Sequence, residues 1–203
     1  MSQGCNSIIA DILKNCSTLV AGIKDTVYFI NIDDVDKDSC SFDVDNPLLL
    51  TSLVLKSASP DLSAYKFEGY NYSNEHKATM VKKTYSKTWE HNLIFRLFDN
   101  TPEDKLWIKN AADSRFLVII ENNYNKDDGV LAEGRTVFEV LGWDFGLELT
   151  AAERDANSDE LQGGWLLTAA CHEKMKESLP PLTYFDTSLT ATRAAIAALS
   201  TAW

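Results

Sequence analysis

The sequence predicts a mainly β protein: an antiparallel β-sandwich or barrel with one flanking helix, a long β-hairpin and terminal arms. Three observations carry this. Residues between Tyr65 and Phe98 alternate in character over unusually long runs. Several shorter segments rich in Val, Ile and Leu are bounded by Gly, Pro, Asn and Asp, the mark of buried strands. Within the body, only Thr101-Pro102-Glu103-Asp104 offers a full helix start, with a Thr N-cap, Pro at the first helical position and an acid three residues after the cap.

In chain order, Ser7–Cys16 places Ile8, Ile9, Ile12 and Leu13 at helical spacing on a piece too short to stand alone. It reads as an arm over residues 1–22, lying on its own domain or on a neighbouring subunit. After Gly22-Ile23-Lys24-Asp25, the stretch Thr26–Ile32 reads as a strand. Asp33–Asp45 is an acidic loop, and Leu48–Leu55 is a nearly continuous apolar strand introduced by Pro47. Tyr65–Ser73 and Thr79–Phe98 follow as long strands with a turn at Ser73-Asn74-Glu75. A run of about 20 residues exceeds the usual strand, so it bends near Ser86–Thr88 or projects beyond the body. A helix of about three turns then carries Leu106, Trp107, Ile108 and Ala111. Arg115–Glu121 returns as a buried strand.

Beyond the polar loop Asn122–Gly129, Thr136–Leu141 and Trp143–Leu149 read as two strands hinged on Gly142, with a bulge at Gly146. Thr150–Glu160 is an acidic loop, and Gly163-Gly164 admits a last strand, Trp165–Cys171. Pro180-Pro181 is expected to end a body spanning residues 23–180. In the 181–203 extension, Leu189, Thr192, Ile196, Leu199 and Trp203 form a helical stripe. Its apolar face needs a cover, supplied by its own domain or by another copy.

The bulk numbers bound the function. The 203 residues fit one domain with arms, and 45% hydrophobic residues suffice for a core. Nineteen basic against 30 acidic residues leave a net charge of −11, which disfavours a protein that grips phosphates. Residues 51–100 are the exception, with seven basic and five acidic groups. Such asymmetry suits a subunit whose one face meets another face of its neighbour. The four cysteines (Cys5, Cys16, Cys40, Cys171) are scattered, unlike a disulfide framework. No apolar run reaches a membrane span, and Met1–Val20 does not read as a signal peptide.

Motifs for chemistry are lacking. His76, His91 and His172 lie far apart, and His91 sits on an apolar strand face, where a core or interface role is expected. Cys171 and His172 are strand neighbours, pointing to opposite faces, so they form no nucleophile–base pair. Asp34-x-Asp36-x-Asp38 begins like a calcium loop, but Ser39 stands where that loop needs Gly and Asp45 where it needs Glu. No zinc spacing, phosphate-binding loop or nucleophile elbow occurs. The sequence therefore predicts no enzyme, no cofactor and no metal. Trp89, Trp107, Trp143 and Trp165 raise one alternative: a monomeric β-sandwich module binding glycan or a host receptor.

The order of elements resembles the tail tube proteins of tailed bacteriophages. The residues carrying this are Cys16–Lys24 leading into Thr26–Ile32, the polar and aromatic hairpin around Tyr65–Phe98, Leu106–Ala112, Arg115–Glu121, Val140–Thr150 and Gly163–Thr168. Cys40–Pro60 and Thr187–Trp203 depart from the simplest members, leaving open a related ring, terminator or connector protein. The resemblance implies rings, usually six-fold, stacked around a channel through which DNA passes without specific binding. Partners would be further copies and other virion tail proteins, with assembly in the host cytoplasm and residence in the virion. The assembly contacts expected are Ile8 and Ile12 of the arm, Lys82, Lys83 and Tyr85 of the long strand pair, and Leu189, Ile196, Leu199 and Trp203 of the tail.

Overall fold

The computed structural model describes residues 21–56, 63–70, 72–84, 86–123 and 136–200. Its strands in chain order are β1 (Ile23–Asn31), β2 (Ser41–Phe42), β3 (Leu49–Ser52), β4 (Tyr65–Glu68), β5 (Glu75–Lys82), β6 (Lys87–Leu97), β7 (Arg115–Asn122), β8 (Phe138–Leu141), β9 (Leu147–Arg154), β10 (Trp165–Cys171) and β11 (Leu182–Tyr184). The helices are α1 (Pro102–Ala112) and α2 (Leu189–Ser200).

Phe116–Ile120 is apolar at every position, which a strand tolerates only when both faces are covered. β7 meets that condition. Phe116, Val118 and Ile120 enter one core, and Leu117 and Ile119 enter a second on the opposite face. β1 lies along one edge of β7 and splits likewise, with Val27 and Phe29 in the first core and Ile30 in the second.

Along the other edge of β7, β8 and β9 lie end to end. Val118–Glu121 pair with β8, and Arg115–Phe116 pair with β9. The sheet therefore branches, running from β8 to β11, β3 and β2, and from β9 to β10, β6 and β5. The described pairings are antiparallel except β11 with β3, and the sheet does not close into a barrel. The result is a sandwich-like, mainly β fold. Its first core lies between β1/β7 and β6/β10, where Phe29 meets the rings of Phe67, Phe95, Trp107 and Phe116. α1 closes this core with Trp107, Ile108 and Ala111. Its start is the expected capping box: Thr101 Oγ1 accepts from Asp104 N–H, and Asp104 accepts from Thr101 N–H.

The corner between β8 and β9 explains the branching. Gly142 and Gly146 both have positive φ, 73° and 82°. A Cβ on Gly142 would come within 2.9 Å of Leu147 N, so only glycine fits. The expected strand over Trp143–Leu149 is thus a turn that becomes β9 only at Leu147. β9 then runs through what the sequence presented as an acidic loop, ending at Arg154.

Three other expectations are corrected. β4 ends at Glu68 and pairs with β1, so it is not one arm of the long hairpin. The 20-residue run is instead two strands, β5 and β6, which pair with each other from Glu75↔Ile94 to Lys82↔Lys87. The bend expected near Ser86–Thr88 is a full reversal a few residues earlier, where Lys83–Ser86 contains no Gly or Pro to mark it. Nor do Pro180-Pro181 end the body. β11 follows immediately inside the sheet, with Leu182 and Tyr184 fully buried, so the 23–180 boundary falls short.

Candidate assembly surface

β5 of the β5–β6 hairpin has no buried residue, and five of its eight positions are exposed. β6 is secured on its far side by β10 over Asn92–Leu97 and by a backbone bridge from Trp89 to Glu177. Beyond Trp89, the tip has only its own cross-strand bonds among the described residues, closed by Lys83 N–H donating to Ser86 O at 2.8 Å. β5 is the terminal strand of its branch, leaving its outer edge without a strand partner there. Lys77 and Lys82 on β5, Lys83 just beyond it and Lys87 on β6 are exposed, and Met80 is 50% exposed. These four of the seven basic residues of the 51–100 segment thus lie on this hairpin, two of them on β5.

The base of the hairpin is held by buried polar groups. Glu177 is 1% exposed. Its carboxylate accepts from Asp144 N–H at 2.6 Å and Phe145 N–H at 3.1 Å, clamping the β8–β9 corner. Burial pushes its pKa up, while the two N–H bonds oppose the shift. Asp144 in turn accepts from Ser178, and its carbonyl accepts from Lys37 Nζ at 3.0 Å. His91 is fully enclosed and accepts at Nδ1 from Gly142 N–H at 3.2 Å. Burial holds its pKa down at about 4, with nearby His76 adding to the effect and the Leu179 backbone opposing it. His76, on β5, is also lowered to about 4 by burial, with Nδ1 lying 3.9 Å from Glu139 Oε2 on β8. At neutral pH both imidazoles are therefore neutral, and Glu139 is itself shifted up by burial. No group of three or more His, Cys, Asp or Glu among the described residues is arranged to hold a metal ion.

The remaining sequence candidates fall into three groups. Lys82 and Lys83 stand exposed at the hairpin tip. Ile8, Ile12, Tyr85 and Trp203 lie outside the described residues. Leu189, Ile196 and Leu199 belong to the chain's own second core: Ile196 is 1% exposed, and the other two pack beside it. Those three are corrected from contact surface to core. An apolar helical stripe takes the nearest apolar cover, and here the chain's second core supplies it. Thr192 Oγ1 fixes the helix start, donating to Ser188 O and accepting from Asp186 N–H.

Other candidates have structural explanations. The Cys171 thiol is buried and accepts from His91 N–H, and burial raises its pKa. Asp34 and Asp36 are engaged locally, Asp34 by Asn31 Nδ2 and Asp36 by Ser39. Trp107 and Trp165 pack on the first core and Trp143 on the second, so these three form no common platform. No described helix is long and apolar enough to cross a membrane.

Two features were missed by sequence reasoning. Glu177 sits in a polar stretch without periodicity, so nothing marked its burial. That β4 has β1 as its one strand partner among the described residues was hidden by the long hairpin expected over Tyr65–Phe98. Compared with known proteins, the chain matches no family model, no curated protein and no solved structure.

Proposed function

We propose that this chain is a structural subunit that self-assembles into rings, of the kind that stack as a phage tail tube or tail-associated ring around a DNA channel. The observation that carries this reading is the β5–β6 hairpin, a free strand edge with a lysine-rich tip on a strongly acidic chain. An open edge is a template for a further strand, and identical copies are the partners always present at matching concentration. The net charge of −11 fits passage of DNA without retention. The buried carboxylates and imidazoles are spent on holding the corner and hairpin base, which fits a scaffold rather than a catalyst.

Size-exclusion chromatography with negative-stain microscopy tests the reading. Rings or short tubes are expected. A particle of 22.7 kDa that stays monomeric at every concentration favours the alternative, a monomeric binding module. A channel lined mainly by Lys and Arg in the assembled ring would remove the DNA-passage part.

A further inference from the structure

A second open edge lies elsewhere on the molecule. Among the described residues β4 pairs with β1 alone. Gly69 N–H donates to Asp25 O across that pair. In an antiparallel ladder alternate residues bond to the partner, so the backbone groups of Lys66 and Glu68 face away from β1. A cleft of about 350 Å³ borders this strand, with Phe67, Leu97 and Trp107 among its walls. Glu68, Glu103 and Asp104 also line it, against Lys66, which is ion-paired to Glu68. The cleft is therefore apolar within and acidic at the rim.

The hairpin has the complementary character. The Lys83–Ser86 closure places the outward backbone groups of β5 on the even residues, including Met80 and Lys82. Thr79–Lys82 is exposed apart from half-buried Val81, and it equals the four residues of β4 in length. Met80 offers an apolar side chain, and Lys82, Lys83 and Lys87 offer positive charge. Within one copy these surfaces do not meet along β6. Leu97 is in the cleft wall, while Lys87 is at the opposite end of the same strand, about 33 Å away at roughly 3.3 Å per residue.

We propose that the cleft between β4 and the first turn of α1 seats the lysine-tipped β5 edge of a second copy of this chain. Four residues of β5 extend β4 as a further strand, and the lysines face the acidic rim. Donor and seat are different surfaces, so the contact is head-to-tail and generates a ring when its rotation closes. This rests on the self-assembly reading and specifies the contact it uses.

Charge reversal with compensation tests the seat. The hairpin variant is Lys82→Glu/Lys83→Glu/Lys87→Glu, and the cleft variant is Glu68→Lys/Glu103→Lys. These positions are exposed, and unchanged circular dichroism and melting will establish folding. Each variant alone is expected to raise the concentration needed for assembly at least tenfold, measured by sedimentation velocity. Joining both sets in one chain is expected to restore it to within about threefold. Met80→Pro is a backbone control: it removes an outward N–H while sparing the bonds to β6, and it too should block assembly. Wild-type rings that survive both reversals, or a combined variant that does not recover, overturn this seat and leave the ring reading standing. A wild-type protein that never assembles overturns both.

Discussion

The β5–β6 hairpin and helix α2 look alike in the sequence and differ in the structure. Each presents a patterned surface that one copy does not obviously need. α2 proves to be core, with Ile196 and Thr192 enclosed and Ala64 N–H donating to Leu199 O near its end. The hairpin stays out, its outer edge unpaired among the described residues. The difference lies in what each surface requires. An apolar stripe is satisfied by any nearby apolar surface, because hydrophobic burial is non-directional. A strand edge requires backbone donors and acceptors in register, and the other open edge, on β4, lies out of its reach.

Removing Thr187–Trp203 should test that contrast most severely. Loss of α2 uncovers the second core, and we expect loss of cooperative unfolding in thermal denaturation. A truncated chain that folds normally but fails to assemble would return α2 to the hairpin's class.

Single truncations should separate the two regions next. Ile196→Ala is expected to cost about 2–5 kcal/mol, as for a buried aliphatic side chain. Met80→Ala, half exposed on the hairpin, is expected to stay within about 0.5 kcal/mol. Urea denaturation of both measures the gap, and equal costs would dissolve the distinction.

Glu177→Ala tests how the hairpin is anchored. It leaves Asp144 N–H and Phe145 N–H without their acceptor; these bonds are part-buried, so the total cost is expected at about 1–3 kcal/mol. Because Glu177 also bridges Trp89, amide exchange should accelerate at the hairpin base before it does in β7. Uniform acceleration throughout the sheet would argue against a local clamp.

The smallest expected effect concerns pH. His76 has a folded pKa of about 4 against an ordinary value of 6.5. A lowered folded pKa means that the unfolded chain takes up the proton first. Its contribution to stability is thus intact above about 6.5 and falls away as pH drops toward 4. Glu139 and Glu177 shift the other way, because their raised pKa values favour the folded chain in acid. Comparison with His76→Gln isolates the histidine: wild type should lose stability relative to the variant between pH 6.5 and 4. A constant difference across that range would show that His76 is not held neutral.

Much of this architecture was legible locally. Thr101 and Asp104 announced α1 because a capping box is made within four residues. Trp165–Cys171 and Arg115–Glu121 were marked as strands by composition and bounding turns, and both strands form there, β7 running one residue further. The candidate contacts were less legible. Lys82 and Lys83 were singled out as candidates through charge, which is visible in a string of residues. Leu189, Ile196 and Leu199 were legible as a stripe, but the sequence left its cover open between the chain's own domain and another copy.

What the sequence determined by itself was therefore each element's character: mainly β, one capped helix, a stripe on the tail, a basic stretch in an acidic chain. These properties follow from side-chain chemistry and spacing over a few residues. Tertiary structure alone decided the pairing. It sent β4 to β1, turned the long run back on itself at Lys83–Ser86, placed β11 in the sheet and covered α2. The reason is physical: strand pairing and burial join residues far apart in the chain, and a sequence pattern states what a surface needs without stating which distant surface will meet it.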